Sequence, residues 1–159
     1  MFKLKGEPTG KIAPKYLALD EKGRRTLLDK EVATLKREGL NPLEHPGYLD
    51  SLEWFASAAD LCRAMSYLRD KTESDPTTKA IREILAINPG LQIPHEKWRY
   101  AGYKGGSEPG VISMTYLLQS VSANWYALSM TWNNKEAPLD ENRFSGLMQR
   151  ALQVAPTKP

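Results

Sequence analysis

Trp125-Tyr126-Ala127-Leu128-Ser129-Met130-Thr131-Trp132 alternates bulky apolar side chains with small or polar ones. Successive side chains of a strand point to opposite sides, so Tyr126, Leu128, Met130 and Trp132 share one face and Ala127, Ser129 and Thr131 the other. Two further strands are expected just upstream. Val111–Leu118 is β-branched and aromatic, and Glu96–Lys104 is rich in aromatics and alternates polar with apolar. Short turns within 105–110 and 119–124 make antiparallel hairpins the simplest connections. Downstream, Phe144, Leu147, Met148, Ala151 and Leu152 form the stripe of a helix over about 140–152. Asp140 and Glu141 sit at its positive end and Arg150 near its negative end.

Helical periodicity precedes the strands. Residues 1–14, with Gly6, Pro8, Gly10 and Pro14, read as irregular. From Tyr16 to Glu38, Leu28, Val32 and Leu35 recur at helical spacing, with Gly23 as the expected break into two helices. Residues 39–47 are loop by composition. Ser57-Ala58-Ala59-Asp60 has the outline of a capping box, with Asp for the usual Glu, before a helix bearing Leu61, Met65 and Leu68. A second helix, with Ile81, Ile84 and Leu85, is expected from about Thr77 until Asn88-Pro89-Gly90 stops it. Helices, then three antiparallel strands, then one helix make an α+β arrangement. The 159 residues are of single-domain size: 1–90 mainly helical, 91–155 sheet plus terminal helix.

The bulk properties narrow the function classes. At 41% hydrophobic and 26% charged, the composition is that of an ordinary globular protein. No apolar run approaches the roughly 18 residues of a membrane span. Met1–Gly6 has no apolar core, so no signal peptide is expected on this chain. The net charge of +3 is too small to argue for a polyanion partner. Residues 1–40 hold 10 Lys/Arg against 6 Asp/Glu, which reads as a solvated helix face rather than an anion-steering surface. Lys97, Trp98, Arg99 and Tyr100 invite a reading as a stacking platform for single-stranded nucleic acid. Alternation sends the rings to one face and the charges to the other, so core packing is expected and no nucleic acid. His45, His95 and the single cysteine, Cys62, have no metal-ligand spacing, so neither a metal nor another cofactor is expected.

One segment carries chemistry. Tyr103-Lys104-Gly105-Gly106-Ser107 stands at the end of a predicted strand. Here the chain resembles the class A β-lactamase and penicillin-binding superfamily of serine hydrolases, one strand of which ends in Lys-Thr-Gly. The resemblance takes in Met1–Lys5, similar to a segment that follows the family's Ser-Asp-Asn region. It also takes in Trp54–Cys62, similar to the start of the helix before the motif, and the strands Lys104–Val111 and Trp125–Asn134. It implies the C-terminal half of such a hydrolase, acting by acyl transfer on a β-lactam, peptide or ester. By this resemblance Lys104 supplies positive charge for the substrate's carboxylate, and the backbone N–H of Ser107 is one oxyanion donor. Losing such a donor typically costs about 10²–10³ in rate. Lys104, Gly105, Gly106 and Ser107 form the implied substrate wall, with Lys104 and Ser107 the catalytic members.

Two departures qualify what the resemblance implies. Gly105 stands where the family has Thr or Ser, with Ser107 as the possible substitute hydroxyl. No serine from Ser51 to Ser145 has a lysine three residues on, so the Ser-x-x-Lys nucleophile is missing and the chain alone is expected to be inactive. Ser122-Ala123-Asn124 matches the loose Ser-x-Asn motif, but it follows Lys104 and fits a hairpin turn. Glu108 reads as a turn carboxylate, and Glu21, Glu31 and Glu38 receive no general-base role. The expectation is therefore a fragment completed by an N-terminal segment, periplasmic in the full-length case. In the family the strand Trp125–Trp132 pairs with an N-terminal one, so its outer edge should bind such a segment or a second copy. The alternative is a non-catalytic binding module that retains the scaffold.

Overall fold

In a computed structural model residues 2–155 are described; Met1, part of the N-terminal reading above, and the tail 156–159 lie outside them. The chain divides into two compact units. One comprises the residues up to Phe55 together with Glu108–Gly110 and Asn134–Pro138; the other comprises 56–107, 111–133 and the residues from Leu139 on.

The second unit carries the sheet. Strands β1 (Trp98–Glu108, its last residue in the first unit), β2 (Val111–Ser120) and β3 (Trp125–Asn133) lie in the order β1-β2-β3. The register of β2 with β3 is antiparallel, from Val111 opposite Asn133 to Gln119 opposite Trp125. Only two residues separate β1 from β2, too few for anything but an antiparallel hairpin. The fold class is α+β, as expected. The glycines expected in the first turn belong instead to β1, and the turn shrinks to Pro109-Gly110.

Alternation explains one face of the sheet. Ile112, Met114, Tyr116 and Leu118 are buried with Trp98 and with Phe144, Met148 and Leu152 of the terminal helix α6 (Glu141–Val154); Tyr126, Leu128, Met130 and Trp132 pack around them. Asp140 caps α6 by accepting the Arg143 N–H at 2.9 Å. Leu147, expected in the stripe, is 49% exposed. The central strand is buried on both sides, since Thr115 and Leu117 are buried too. Helix α4 (Ala58–Ser74) packs on β2 and β3 without joining the α6 cluster, and so covers the opposite face. The predicted capping box opens it: the Asp60 N–H donates to Ser57 Oγ at 3.1 Å, and the Ser57 N–H to Asp60 at 3.0 Å.

Two readings in this unit need correction. Alternation places Trp98 and Tyr100 on one face, but Trp98 packs on Tyr126 while Tyr100 packs on Trp125, and these neighbours point to opposite faces of β3. The helix expected from Thr77 is a 3₁₀ turn over Pro76–Thr78, then the short α5 (Ala80–Ala86), with Ile84 63% exposed. It is pinned by Arg82, whose guanidinium lies 5.2 Å from the Tyr100 ring and 4.7 Å from the Trp125 ring.

In the first unit short helical pieces replace both the irregular start and the long run. They are α1 (Phe2–Lys5), α2 (Ile12–Ala18) and α3 (Glu21–Leu27), extended by a π turn over Leu28–Val32. The break falls before Asp20, not at Gly23. The Asp20 carboxylate accepts the Gly23 N–H at 2.8 Å and starts α3, leaving Gly23 inside the helix. The start of the chain is ordered by Glu7, a buried residue that accepts the N–H groups of Thr9 at 2.7 Å, Lys11 at 3.1 Å and Ile12 at 3.4 Å. Those bonds, that of Thr9 foremost, hold its carboxyl below the usual range. The core here is small: Leu4, Ala13, Leu27, Val32 and Leu52.

Candidate functional site

The Lys104–Ser107 segment lies on β1, at an edge of the sheet among the described residues. Lys104, Gly106 and Ser107 are exposed, and Gly105 is half-buried. The Lys104 ammonium folds back to donate to the Gly105 carbonyl. No atom lies within 4 Å of the place a side chain at Gly106 would occupy, so this stretch of strand is clear. Gly105 is different. A side chain there would meet the Tyr103 hydroxyl and, at 3.2 Å, the Ser113 carbonyl oxygen. Tyr103, packed on Tyr116 at 5.0 Å between centroids, fills the place that a side chain at Gly105 would take. Burial pushes the hydroxyls of Tyr103 and Tyr116 above their ordinary range, so both stay neutral hydrogen-bonding groups. Tyr116 spends its proton on the Pro89 carbonyl at 2.7 Å.

Sequence reasoning missed a second constellation, wholly within the first unit. Lys5, on α1, buries its side chain to 3% exposure and meets two carboxylates, Glu53 and, at 2.6 Å, Glu108. Burial raises the Glu108 carboxyl, Lys5 opposes it, and the Glu53 carboxyl on the same ammonium adds to the rise. Lys5 and Glu108 line a cavity of about 300 Å³ that Asn41, His45 and Tyr48 also line. No sequence spacing could have shown this, because the three residues stand 48 and 103 positions apart. A second hollow in this unit, about 440 Å³, is lined by Leu19 and Leu27 together with Lys15, Lys22 and Lys30. Lys15 is paired there with Glu31 at 2.6 Å.

The remaining candidates resolve into structural roles. Ser122-Ala123-Asn124 forms the β2–β3 turn, with Ala123 at φ 69° and the Ser120 N–H donating to the Asn124 carbonyl at 2.9 Å. The Trp98 ring is fully buried and its Nε1–H donates to the Leu152 carbonyl at 2.8 Å, so it presents no face for stacking a base. Cys62 sits on α4, half-buried, and burial raises its thiol, which disfavours the reactive thiolate. Among the described residues no three His, Cys, Asp or Glu side chains are grouped to hold a metal ion, and no helix is long and apolar enough to cross a membrane.

No model of a known family and no curated protein matches this chain.

Proposed function

We propose that the chain is the C-terminal part of a β-lactamase-like serine hydrolase, providing one wall of a substrate cleft rather than the nucleophile. The observation that carries this reading is the disposition of Lys104-Gly105-Gly106-Ser107 along an edge strand. An edge strand offers unpaired backbone groups to an extended substrate. The space at Gly106 lets that substrate approach, the Lys104 ammonium is free to swing from its own backbone to a carboxylate, and the Ser107 N–H serves a developing oxyanion. A serine without a positioned base is a poor nucleophile, so this chain alone carries no acyl transfer.

The same reading assigns the outer edge of β3 to a partner, either an N-terminal segment bearing the Ser-x-x-Lys helix or a second copy. Among the described residues no strand lies beyond β3. A second reading, a non-catalytic binding module, is favoured by the absence of Ser-x-x-Lys from this sequence. Fluorophosphonate and β-lactam probes separate the two. The isolated chain should remain unlabelled. A polypeptide that joins it to a Ser-x-x-Lys segment of the same protein should acylate, and Lys104→Ala should slow that acylation about 10²-fold or more. Labelling of a serine in the isolated chain overturns the proposal. Failure of the completed polypeptide to acylate favours the binding module.

A further inference from the structure

We propose that Glu53 and Glu108 hold one proton between them beside the buried Lys5 ammonium, and that this shared proton latches the turn after β1. One ammonium, almost wholly out of water, meets two carboxyl groups that converge on the same nitrogen. Two ionised carboxylates have only acceptor oxygens, so a hydrogen bond between them requires a hydrogen on one. A single positive charge balances a single negative one, and the second acid, half-buried beside that pair, is more stable neutral. Burial, with Glu53 in the same sense and Lys5 opposing, pushes the Glu108 carboxyl upward, and the proton is assigned to Glu108 on that ground and on its place beside Lys5. Glu44, His45 and Tyr48 are the other titratable groups on the wall of this cavity. A negative Glu44 acts in the same sense as Glu53, and a protonated His45 in the sense of Lys5.

The latch follows from what Glu108 is attached to. Glu108, Pro109 and Gly110 belong to the first unit, and both ends of that segment are tied within it. At one end stand Lys5 and Glu53. At the other, Gly110 takes φ +83°, a conformation glycine adopts without strain. A side chain there would meet the Asn134 carbonyl oxygen and, at 2.7 Å, Pro46. The Gly110 carbonyl accepts the Asn134 N–H at 2.7 Å. When Glu108 ionises, the carboxyl–carboxyl hydrogen bond is lost and two like charges stand together beside a single lysine. The turn then keeps only its Gly110 end. This mechanism does not depend on the hydrolase proposal.

Glu108 gains stability from its raised folded value. That contribution is complete below the ordinary carboxylate value and is lost as pH rises through the raised one. The test uses the whole chain with side-chain carboxyl carbons labelled in glutamate. NMR follows the Glu108 titration, and exchange of the Asn134 amide, corrected for its intrinsic pH dependence, reports the latch. Glu108 should titrate above its ordinary value of 4.5. Asn134 protection should fall with rising pH, by up to about tenfold for each pH unit by which Glu108 is raised. Glu108→Gln, which keeps a neutral donor, should leave Asn134 protected and its profile flat. Glu53→Gln should move the Glu108 titration downward. The latch is refuted if Glu108 titrates at or below its ordinary value, or if the Asn134 profile of Glu108→Gln matches the wild type. Should Glu108→Gln fail to fold, the wild-type titration and the Glu53→Gln shift decide the matter.

Discussion

The two units of this chain hold themselves together by different means. In the second, regular elements bury large side chains: Trp98, Tyr116, Phe144, Met148 and Leu152 form one cluster between a sheet face and α6. In the first, five smaller apolar residues make the core, and polar side chains order the backbone around it. Glu7 supplies acceptors for three amides, Asp20 opens a helix, and Lys5 ties α1 to Glu53 and Glu108. Apolar burial is non-directional and tolerates crude specification, whereas a buried polar tie works only when every partner is in place. The first unit's structure therefore hangs on a few particular residues, and the second's on a pattern.

Substitutions can break this contrast. The largest effect is expected from Phe144→Ala, which removes a ring from the α6 cluster and should cost about 3–5 kcal/mol in urea unfolding. Leu52→Ala, in the smaller core, should cost about 2–3 kcal/mol, because the loop around it can collapse into the space. Equal costs at the two sites would mean that the first unit also depends chiefly on apolar packing. Next comes Arg82→Ala. Loss of its contacts with Tyr100 and Trp125 should cost about 1–2 kcal/mol and release α5 first, visible as faster amide exchange over residues 80–86. A variant as stable and as slowly exchanging as the wild type would remove Arg82 from the account.

Glu7→Gln sharpens the polar half of the contrast, and its signature is pH rather than size. The folded value of Glu7 lies below the ordinary one. Its contribution is therefore present above the ordinary carboxylate value and lost as pH falls through the folded one. The wild type should exceed Glu7→Gln in stability near neutrality, and the two should converge in acid. A gap independent of pH would show that ionisation of Glu7 does not matter.

Legibility in the sequence followed the same division. The Ser57–Asp60 cap, the faces of β3 and most of the α6 stripe could be read because each depends on neighbours a few residues apart, where backbone geometry alone sets the period. Leu147 and Ile84 are exposed against expectation because periodicity identifies a stripe but not how far its partner surface extends. The α2 helix escaped notice among Gly6, Pro8, Gly10 and Pro14, since the Glu7 carboxylate, several residues before it, satisfies the amides at its start, and α1 is a single turn, too short to show a period. Of the candidate site, the Lys104–Ser107 motif was visible as a string. That Tyr103 fills the place above Gly105, while the space at Gly106 is clear, was not visible.

What the sequence determined by itself was therefore local: the strands and longer helices of the second unit, the alternating face that becomes a core, and the residues offered at the end of β1. Only the tertiary structure decided which faces found partners, that β2 is buried on both sides, and that Lys5 meets Glu53 and Glu108. The physical reason is range. Propensity, capping and amphipathic period act over a turn or two of chain, while desolvation and the pairing of buried charges depend on groups that the fold alone brings together.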